Sequence, residues 1–218
     1  MTQPGKWRWL FWFLLPLSVA VYSARATATP EVNNVLQHGF PLQPDALTKT
    51  TSALFSEYTN KRNIASLVFY SYGVLRQAKH FSEINDFIHA AEYAKTGLFY
   101  LDEAVDANED NLRVRYLRAR IDAYLPTEMG RCVVTLHDTD LLLKSINVFD
   151  KDSLNHIRYM RYRALVSCNF KDQANALLNE IKSASVKSGK HFIVDLSQTP
   201  EWDIHEITQI VLPLLKGK

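Results

Sequence analysis

Three side chains that commonly bind metal ions, Asp86, His89 and Glu92, occur at three-residue steps in the sequence. Imidazole and carboxylate groups are ligands for zinc and related ions. On a helix, however, residues three apart are offset by about 60° around the axis, so the outer two members diverge. The H-E-x-x-H spacing of zinc hydrolases is also missing. The spacing therefore predicts no metal site here, and we expect no cofactor.

A second metal-capable group is the doublet His137-Asp138, with Asp140 two residues further on. It resembles the His-Asp doublet of all-helical metal-dependent phosphohydrolases, and this resemblance implies a metal-dependent hydrolase. Such a site needs ligands from other helices, for which the sequence offers His80, His89 and Asp152. An aspartate at a helix start is also an ordinary N-cap residue. We expect Asp138 to cap a helix and keep the hydrolase as an alternative function.

Motifs for other kinds of catalysis are missing from the sequence. It contains no G-x-S-x-G nucleophile motif, no phosphate-binding P-loop and no dinucleotide fingerprint, and it has only seven glycines. Cys168 lies in a predicted helix, where a cysteine is usually inert. The residues therefore favour a protein that acts by binding and is not an enzyme.

The helix predicted over 112–125 contains a cluster of arginines. They are Arg113, Arg115, Arg118 and Arg120. On a helical wheel, two nearly opposite faces are apolar and the charged residues lie along the seams between them. A helix that is apolar on two sides packs between two neighbours. Long arginine stems can cover apolar surface while their charged groups reach water or acids such as Asp106, Asp110 and Asp122.

The remaining sequence also has a helical period nearly throughout. The predicted helices span 65–79, 84–107, 112–125, 138–149, 153–168, 171–187 and 200–215. Ser153 is a second expected N-cap, and Thr199-Pro200-Glu201 is typical of a helix start. The proline-rich stretch 27–50 reads as a loosely packed arm. The run HFIVDL, residues 191–196, is the one strand-like segment and is too short to form a sheet alone.

Two adjacent helices resemble a tetratricopeptide repeat. The first signature appears as Phe69-x2-Tyr72-Gly73-x2-Arg76, and the second as Gly97-x3-Leu101-x2-Ala104. Arg76 replaces an aromatic residue, Glu109 occupies the proline position, and the hairpin is about a dozen residues longer than a standard repeat. Ala174-x3-Leu178-x2-Ile181 again resembles a second repeat helix. The resemblance implies a stack of antiparallel helical hairpins whose concave side holds a peptide or a partner helix.

This resemblance makes six polar and aromatic residues candidates for partner binding: Tyr70, Arg113, Arg120, Arg158, Tyr159 and Arg161. Arg113 and Arg120 share one seam of their helix, where two guanidinium groups can bind a carboxylate or another anion. Tyr70 and Tyr159 are the aromatic residues expected on the concave side. Core packing is the alternative, because aromatic residues at helical spacing mostly fill interiors.

The first 26 residues have the three parts of a secretory signal peptide. Lys6 and Arg8 precede an uncharged apolar run over 10–21, and Ala24-Arg25-Ala26 has the small-x-small pattern of a cleavage site. The run is shorter than the about 20 residues of a membrane span, although flanking aromatic residues lengthen it. We expect cleavage after Ala26 and a periplasmic or secreted protein, with an inner-membrane anchor as the alternative.

Removing this leader changes the charge of the chain. The leader holds three basic residues and no acids, so the remaining 192 residues have 22 Lys and Arg against 23 Asp and Glu. A chain with this balance lacks the overall basic charge that nucleic-acid binding favours. We expect a protein or peptide partner in the cell envelope, no nucleic acid, and membrane contact only if the leader is uncleaved.

Cys132 and Cys168 are the two cysteines of the chain. In an oxidising compartment such a pair is a candidate disulfide. The alternative is a buried apolar Cys168 and a loop thiol at Cys132, and the sequence gives no distance that decides between them. No asparagine begins an N-x-[ST] sequon, which favours a bacterial exported protein over a eukaryotic secreted one.

These patterns predict an all-α protein with three parts: a signal peptide or anchor over 1–26, an arm over 27–50 and a single helical repeat-like domain over 51–218. The predicted function is a non-enzymatic periplasmic module that binds proteins or assists their assembly. A membrane-tethered scaffold is the further alternative.

Cleavage of the leader can be measured directly. In protein expressed with its full leader in a bacterial host, we expect the N-terminus to be Thr27, because signal peptidase needs small residues at positions 24 and 26. Intact-mass and N-terminal analysis of the envelope fraction give the result, with Ala24→Leu/Ala26→Leu as the uncleavable control. Envelope protein that still begins at Met1 would establish the tethered form.

Overall fold

The computed structural model describes residues 30–145, 147–187 and 200–215, and this part of the chain is helical without strands. The longer helices are α1 (Glu31–His38), α2 (Pro44–Lys61), α3 (Ile64–Glu83), α4 (Phe87–Asp106), α5 (Leu112–Asp122), α6 (Cys132–Lys144), α7 (Lys151–Ser167) and α8 (Lys171–Lys187). A 3-10 turn, Thr127–Met129, precedes α6. The C-terminal segment comprises α9 (Ile204–Glu206), a π-helical turn (Ile207–Val211) and α10 (Leu212–Leu215). The all-α prediction is confirmed for the described residues.

Several helices begin at side chains that cap their first turn. Asn63, Asp86, Asn111 and Asp150 each accept a hydrogen bond from a backbone N–H of the helix that follows. The predicted caps Asp138 and Ser153 were wrong, because Asp138 lies inside α6 and Ser153 donates its own N–H to Asp150. The C-terminal segment also begins later than predicted, at Asp203, which forms a capping box with Glu206.

The stretch 27–50 was predicted as a loosely packed arm, and the structure corrects this from residue 30 onward. Residues 30–50 contain α1 and the beginning of α2, and Val32 and Val35 are fully or almost fully buried in the main core. The N–H of Glu31 donates to Oε2 of Glu57 at 2.6 Å, which places a carboxylate at the positive end of α1. Pro44 fits the first turn of α2 because that position needs no N–H donor. Residues 27–29 lie outside the described part.

Glycines allow α3 to approach both of its neighbours closely. A Cβ atom on Gly97 would lie 2.7 Å from Cγ of Leu75 and 3.1 Å from the carbonyl oxygen of Ser71. One on Gly73 would lie 2.6 Å from Oγ1 of Thr51 on α2. Both glycines belong to the repeat signatures in the sequence, so these two signature positions mark close contacts between helices.

The helix α5 is buried along almost its whole length. Every residue from Val114 to Ala123 is buried, and α5 packs against α3, α4, α6 and α7. The prediction of a helix packed on more than one side is confirmed. The charged groups of these arginines were predicted to reach water or nearby acids. Arg115, Arg118 and Arg120 are all buried and reach acids, but their partners are Asp138 and Glu206, which the sequence did not suggest.

The two cysteines form a disulfide. Cys132 is the first residue of α6 and Cys168 directly follows α7, and their Cα atoms are 5.5 Å apart. The bond closes a loop with a sequence separation of 36. In the chain-entropy treatment, closing a loop of this length in the unfolded chain stabilises the fold by roughly 4 kcal/mol. A smaller apolar cluster, which includes Leu165 and Ile181, lies between α7 and α8.

The leader and the strand-like run at 191–196 lie outside the described residues. Among the helices that are described, none has both the length and the apolar character that a membrane span requires.

The close contact at Gly97 can be tested by adding one methyl group. We expect Gly97→Ala to lower the free energy of unfolding by roughly 1–3 kcal/mol, as overpacking typically does. Alanine favours the helix by about 1 kcal/mol, which opposes this loss without reversing it. Urea denaturation followed by circular dichroism gives the value, and Lys95→Ala on the exposed side of α4 is the control. A Gly97→Ala protein as stable as the parent would contradict the close contact.

Candidate functional site

The most deeply buried carboxylate in the described chain connects α5 to α6. Asp138 has no exposed surface, and its two oxygens accept hydrogen bonds from Nη1 of Arg115 at 2.7 Å and from Nε and Nη2 of Arg118 at 2.8 and 2.9 Å. His137, its neighbour in sequence, is exposed. Of the doublet, Asp138 is therefore buried and His137 is exposed. The carboxylate that a hydrolase would use as a metal ligand accepts hydrogen bonds from two guanidinium groups instead.

A second group of ion pairs continues from Arg118 toward the start of α6. Arg118 also donates to Oδ1 of Asp102 at 3.2 Å, and Arg131 donates to both oxygens of Asp102 at 2.6 and 3.0 Å. Nε of Arg131 donates to Oδ1 of Asp122 at 2.9 Å. Burial raises the pKa of Asp122 to about 7, against the bonds from Arg131, which lower it. Three arginines and three aspartates thus form a charge-balanced network that joins α4, α5 and α6.

Arg120 faces away from this network and holds the C-terminal segment. Its Nε donates to Oε1 of Glu206 at 2.8 Å, and its Nη2 donates to the carbonyl oxygen of Pro200 at 2.8 Å. The guanidinium carbon lies 4.7 Å from the ring centroids of both Tyr124 and Trp202. Arg120 was predicted to bind a partner's anion together with Arg113. The structure corrects this, because Arg120 is buried and paired within the chain.

Tyr116 completes the polar contacts around Glu206. Its hydroxyl donates to Oε1 of Glu206 at 2.9 Å and lies 3.5 Å from Nδ1 of His156. Burial, followed by the charge and hydrogen bond of Glu206, raises the pKa of Tyr116 well above its ordinary value. The hydroxyl therefore stays protonated and remains a donor to Glu206.

Next to these residues lies a cleft of about 1010 Å³. It is bordered by the end of α5, one face of α7, the later part of α8 and residues 200–206. The lining residues are Arg120, Tyr124, Lys151, Asp152, Leu154, Asn155, His156, Arg158, Tyr159, Met160, Glu180, Ile181, Ala184, Pro200, Glu201, Asp203, His205 and Glu206. Five carboxylates face three cationic side chains, so the cleft carries an excess of negative charge.

The cleft contains three of the six predicted partner-binding residues. Arg158 and Tyr159 line it, and Arg120 lies at its base within the contacts described above. Tyr70 instead belongs to an aromatic group, with its ring centroid 4.7 Å from that of Phe55 and 5.2 Å from that of Tyr100.

The other two predicted arginines make contacts outside the cleft. Arg113 donates from Nε to the carbonyl oxygen of Gln209 at 2.9 Å, within the π-helical turn. Arg161 donates to the carbonyl oxygen of Leu136 at 3.1 Å and lies 3.4 Å from Oγ1 of Thr139. Both side chains therefore connect helices of this chain.

Three further residues of the cleft were not predicted from the sequence: His156, Asp203 and Glu206. Nε2 of His156 lies 3.2 Å from Oδ2 of Asp203, and its Nδ1 lies 3.8 Å from Oε1 of Glu206. One ligand atom can be taken from each residue so that all three lie within 4.8 Å of one another. The Asp-x-x-Glu spacing of a capping box was the available signal for two of them. No local pattern connects them with His156, which lies on another helix.

Asp86 and His89, two of the three residues found at three-residue steps, contact each other at the start of α4. Nδ1 of His89 lies 2.6 Å from Oδ2 of Asp86 in an exposed pair, and the contact lowers the pKa of Asp86 and raises that of His89. Glu92 belongs to no cluster of three metal-capable groups among the described residues.

A scan against protein-family models gives no match for this chain. Comparisons with curated proteins and with solved structures find no match either.

The buried carboxylate of Asp138 gives a direct test of the network. We expect Asp138→Asn to lower the free energy of unfolding by about 3–5 kcal/mol, because it leaves Arg115 and Arg118 buried without their counter-charge. Chemical denaturation measures the loss. Asp140→Asn, two residues further along α6, removes an exposed pair with Lys144 and should leave the denaturation midpoint unchanged. Equal effects of the two substitutions would contradict the proposed importance of the buried network.

Proposed function

We propose that this chain is a non-enzymatic protein-binding or assembly-accessory module of the bacterial cell envelope, with a tetratricopeptide-like stack of antiparallel helical hairpins as its scaffold. The cleft between α5, α7, α8 and residues 200–206 receives a segment of the partner. The observation that carries the proposal is this large acidic cleft, since it includes both polar and apolar side chains on several helices.

The packing of the first helices supports the proposed scaffold. Helices that follow one another in the sequence pack against one another, with α3 in close contact with both α2 and α4. Gly73 and Gly97, which occupy small-residue positions of the repeat signatures, allow this approach. Stacked hairpins of this kind present extended surfaces on which peptides bind.

The chemistry of the cleft favours a basic peptide segment. Glu180 on α8 and Glu201 in the segment 200–206 are exposed carboxylates of the cleft, and Asp203 lies 3.2 Å from His156. Leu154 and Tyr159, both partly exposed, add apolar surface to the same cleft. An extended peptide with lysine or arginine beside apolar residues complements both features, because opposite charges favour encounter and apolar contact favours retention.

The proposed compartment rests on two observations. The leader has the parts of a signal peptide, and Cys132 and Cys168 form a disulfide, which persists in oxidising compartments such as the periplasm. If the leader stays attached, the same module acts as a membrane-tethered scaffold.

Charge reversal in the cleft tests the proposed binding. The probes are two fluorescent peptides of equal apolar content, one with lysines and one with glutamates at the same positions, followed by anisotropy at low and physiological salt. We expect the lysine peptide to bind and Glu180→Lys/Glu201→Lys to weaken its binding by roughly tenfold or more, since like charges then meet in the cleft.

The matched control is Glu92→Lys/Glu103→Lys on α4, which changes the net charge equally at exposed sites outside the cleft. This control should retain the affinity of the parent. Equal binding of both peptides, or equal losses in the two double variants, would refute a cleft that selects basic segments.

A further inference from the structure

We infer that His156, Asp203 and Glu206 bind a divalent transition-metal ion at the base of the cleft. This inference goes beyond the proposed peptide binding and does not depend on it. It departs from the sequence-based expectation that the chain holds no cofactor, because the three residues come from α7 and from the start of the C-terminal segment.

The spacing of the side chains fits the coordination sphere of a small ion. Zinc bonds to imidazole nitrogen and carboxylate oxygen are about 2.0–2.2 Å long, so tetrahedral ligand atoms are separated by about 3.3–3.5 Å. Nε2 of His156 and Oδ2 of Asp203 are 3.2 Å apart. The third ligand atom, from Glu206, completes a set whose members all lie within 4.8 Å. Small side-chain adjustments are enough to close this set around one ion.

The fold fixes one oxygen of each carboxylate and leaves the other for a ligand role. Oδ1 of Asp203 accepts the N–H groups of His205 and Glu206, both at 2.8 Å, while Oδ2 faces His156. Oε1 of Glu206 accepts from Tyr116 and Arg120, while Oε2 has only a long contact of 3.4 Å with the N–H of Asp203. Both carboxylates are therefore oriented by the chain before an ion arrives.

The hydroxyl of Tyr116 offers an acceptor to the second ring nitrogen of His156. Its hydroxyl hydrogen is directed to Glu206, so its oxygen is left to accept from Nδ1 of His156, 3.5 Å away. With the proton on Nδ1, the lone pair of Nε2 is available on the side of Asp203. Metal-binding histidines usually donate their other ring N–H to an oxygen in this way.

Charge and access favour a cation at this place. Arg120 balances Glu206. In the part of the chain that the structure describes, Asp203 pairs with His156 and with no lysine or arginine, and Glu201 is a further acid of the same cleft. All three proposed ligands line the cleft, which provides an entry path. One imidazole and two carboxylates suit zinc, cobalt or manganese better than calcium or magnesium, which prefer ligand sets made of oxygen alone. Three protein ligands leave a coordination position open toward the cleft.

Metal titration of the purified, chelator-treated chain tests the inference. We expect one Zn²⁺ per chain by isothermal titration calorimetry and one Co²⁺ per chain by visible absorption, whose intensity reports a four- or five-coordinate ion. Zn²⁺ affinity should fall about 100-fold or more in His156→Ala and at least about tenfold in Asp203→Asn. Asparagine is an equally good N-cap, so Asp203→Asn keeps the helix start while it removes the ligand charge.

Two histidine variants serve as controls. His89→Ala removes an exposed histidine that also lies beside an aspartate, and His205→Ala removes a cleft histidine outside the proposed ligand set. Both should keep the parent's stoichiometry and affinity. The inference is overturned by the absence of stoichiometric Zn²⁺ binding, by binding that survives in His156→Ala, or by an equal loss in either control. The titration uses no peptide, so its failure leaves the peptide test unaffected.

Discussion

A guanidinium group that is buried in a protein interior needs an opposite charge within hydrogen-bonding distance, because an unpaired buried ion costs several kcal/mol. The helix α5 carries three such groups, Arg115, Arg118 and Arg120, together with a buried Asp122. Apolar packing is not directional and allows many helix arrangements. Fixed charge pairs allow far fewer helix arrangements. The positions of α4, α6 and the C-terminal segment relative to α5 are therefore set by where their carboxylates must lie.

The two sides of α5 have different consequences for the protein. On one side, Asp102 and Asp138 bring α4 and α6 together in a network without access to the cleft. On the other side, Tyr116 and Arg120 hold Glu206 and so determine the base of the cleft. The disulfide between Cys132 and Cys168 secures the pair α6 and α7, and α7 supplies His156 and Tyr159 to the cleft wall. Stability and the candidate site thus depend on the same central helix.

The sequence predicted the helices well where their apolar period was long, as in α3, α4 and α5. It failed over residues 30–50, because prolines and polar residues obscured the apolar faces of α1 and of the first turns of α2, which the core buries. The sequence also predicted Asp138 as an N-cap. A local pattern cannot show that this carboxylate pairs with Arg115 and Arg118, because these arginines lie on a different helix. The candidate site was predicted only in part, through Arg158, Tyr159 and Arg120, and Arg120 pairs with Glu206 of this chain. His156 and Glu206 are 50 residues apart, and only the packing of α7 against the C-terminal segment brings them together.

The double role of Arg118 has a consequence for how the protein opens. This side chain bonds to Asp138 on α6 and to Asp102 on α4 at the same time. Separation of α5 from α6 would leave the fully buried Asp138 without its partners, whereas separation of α4 removes only the bond to Asp102, whose side chain is 37% exposed. We therefore expect opening between α5 and α6 to cost a large part of the free energy of complete unfolding, so that these two helices exchange their amide hydrogens as one cooperative unit.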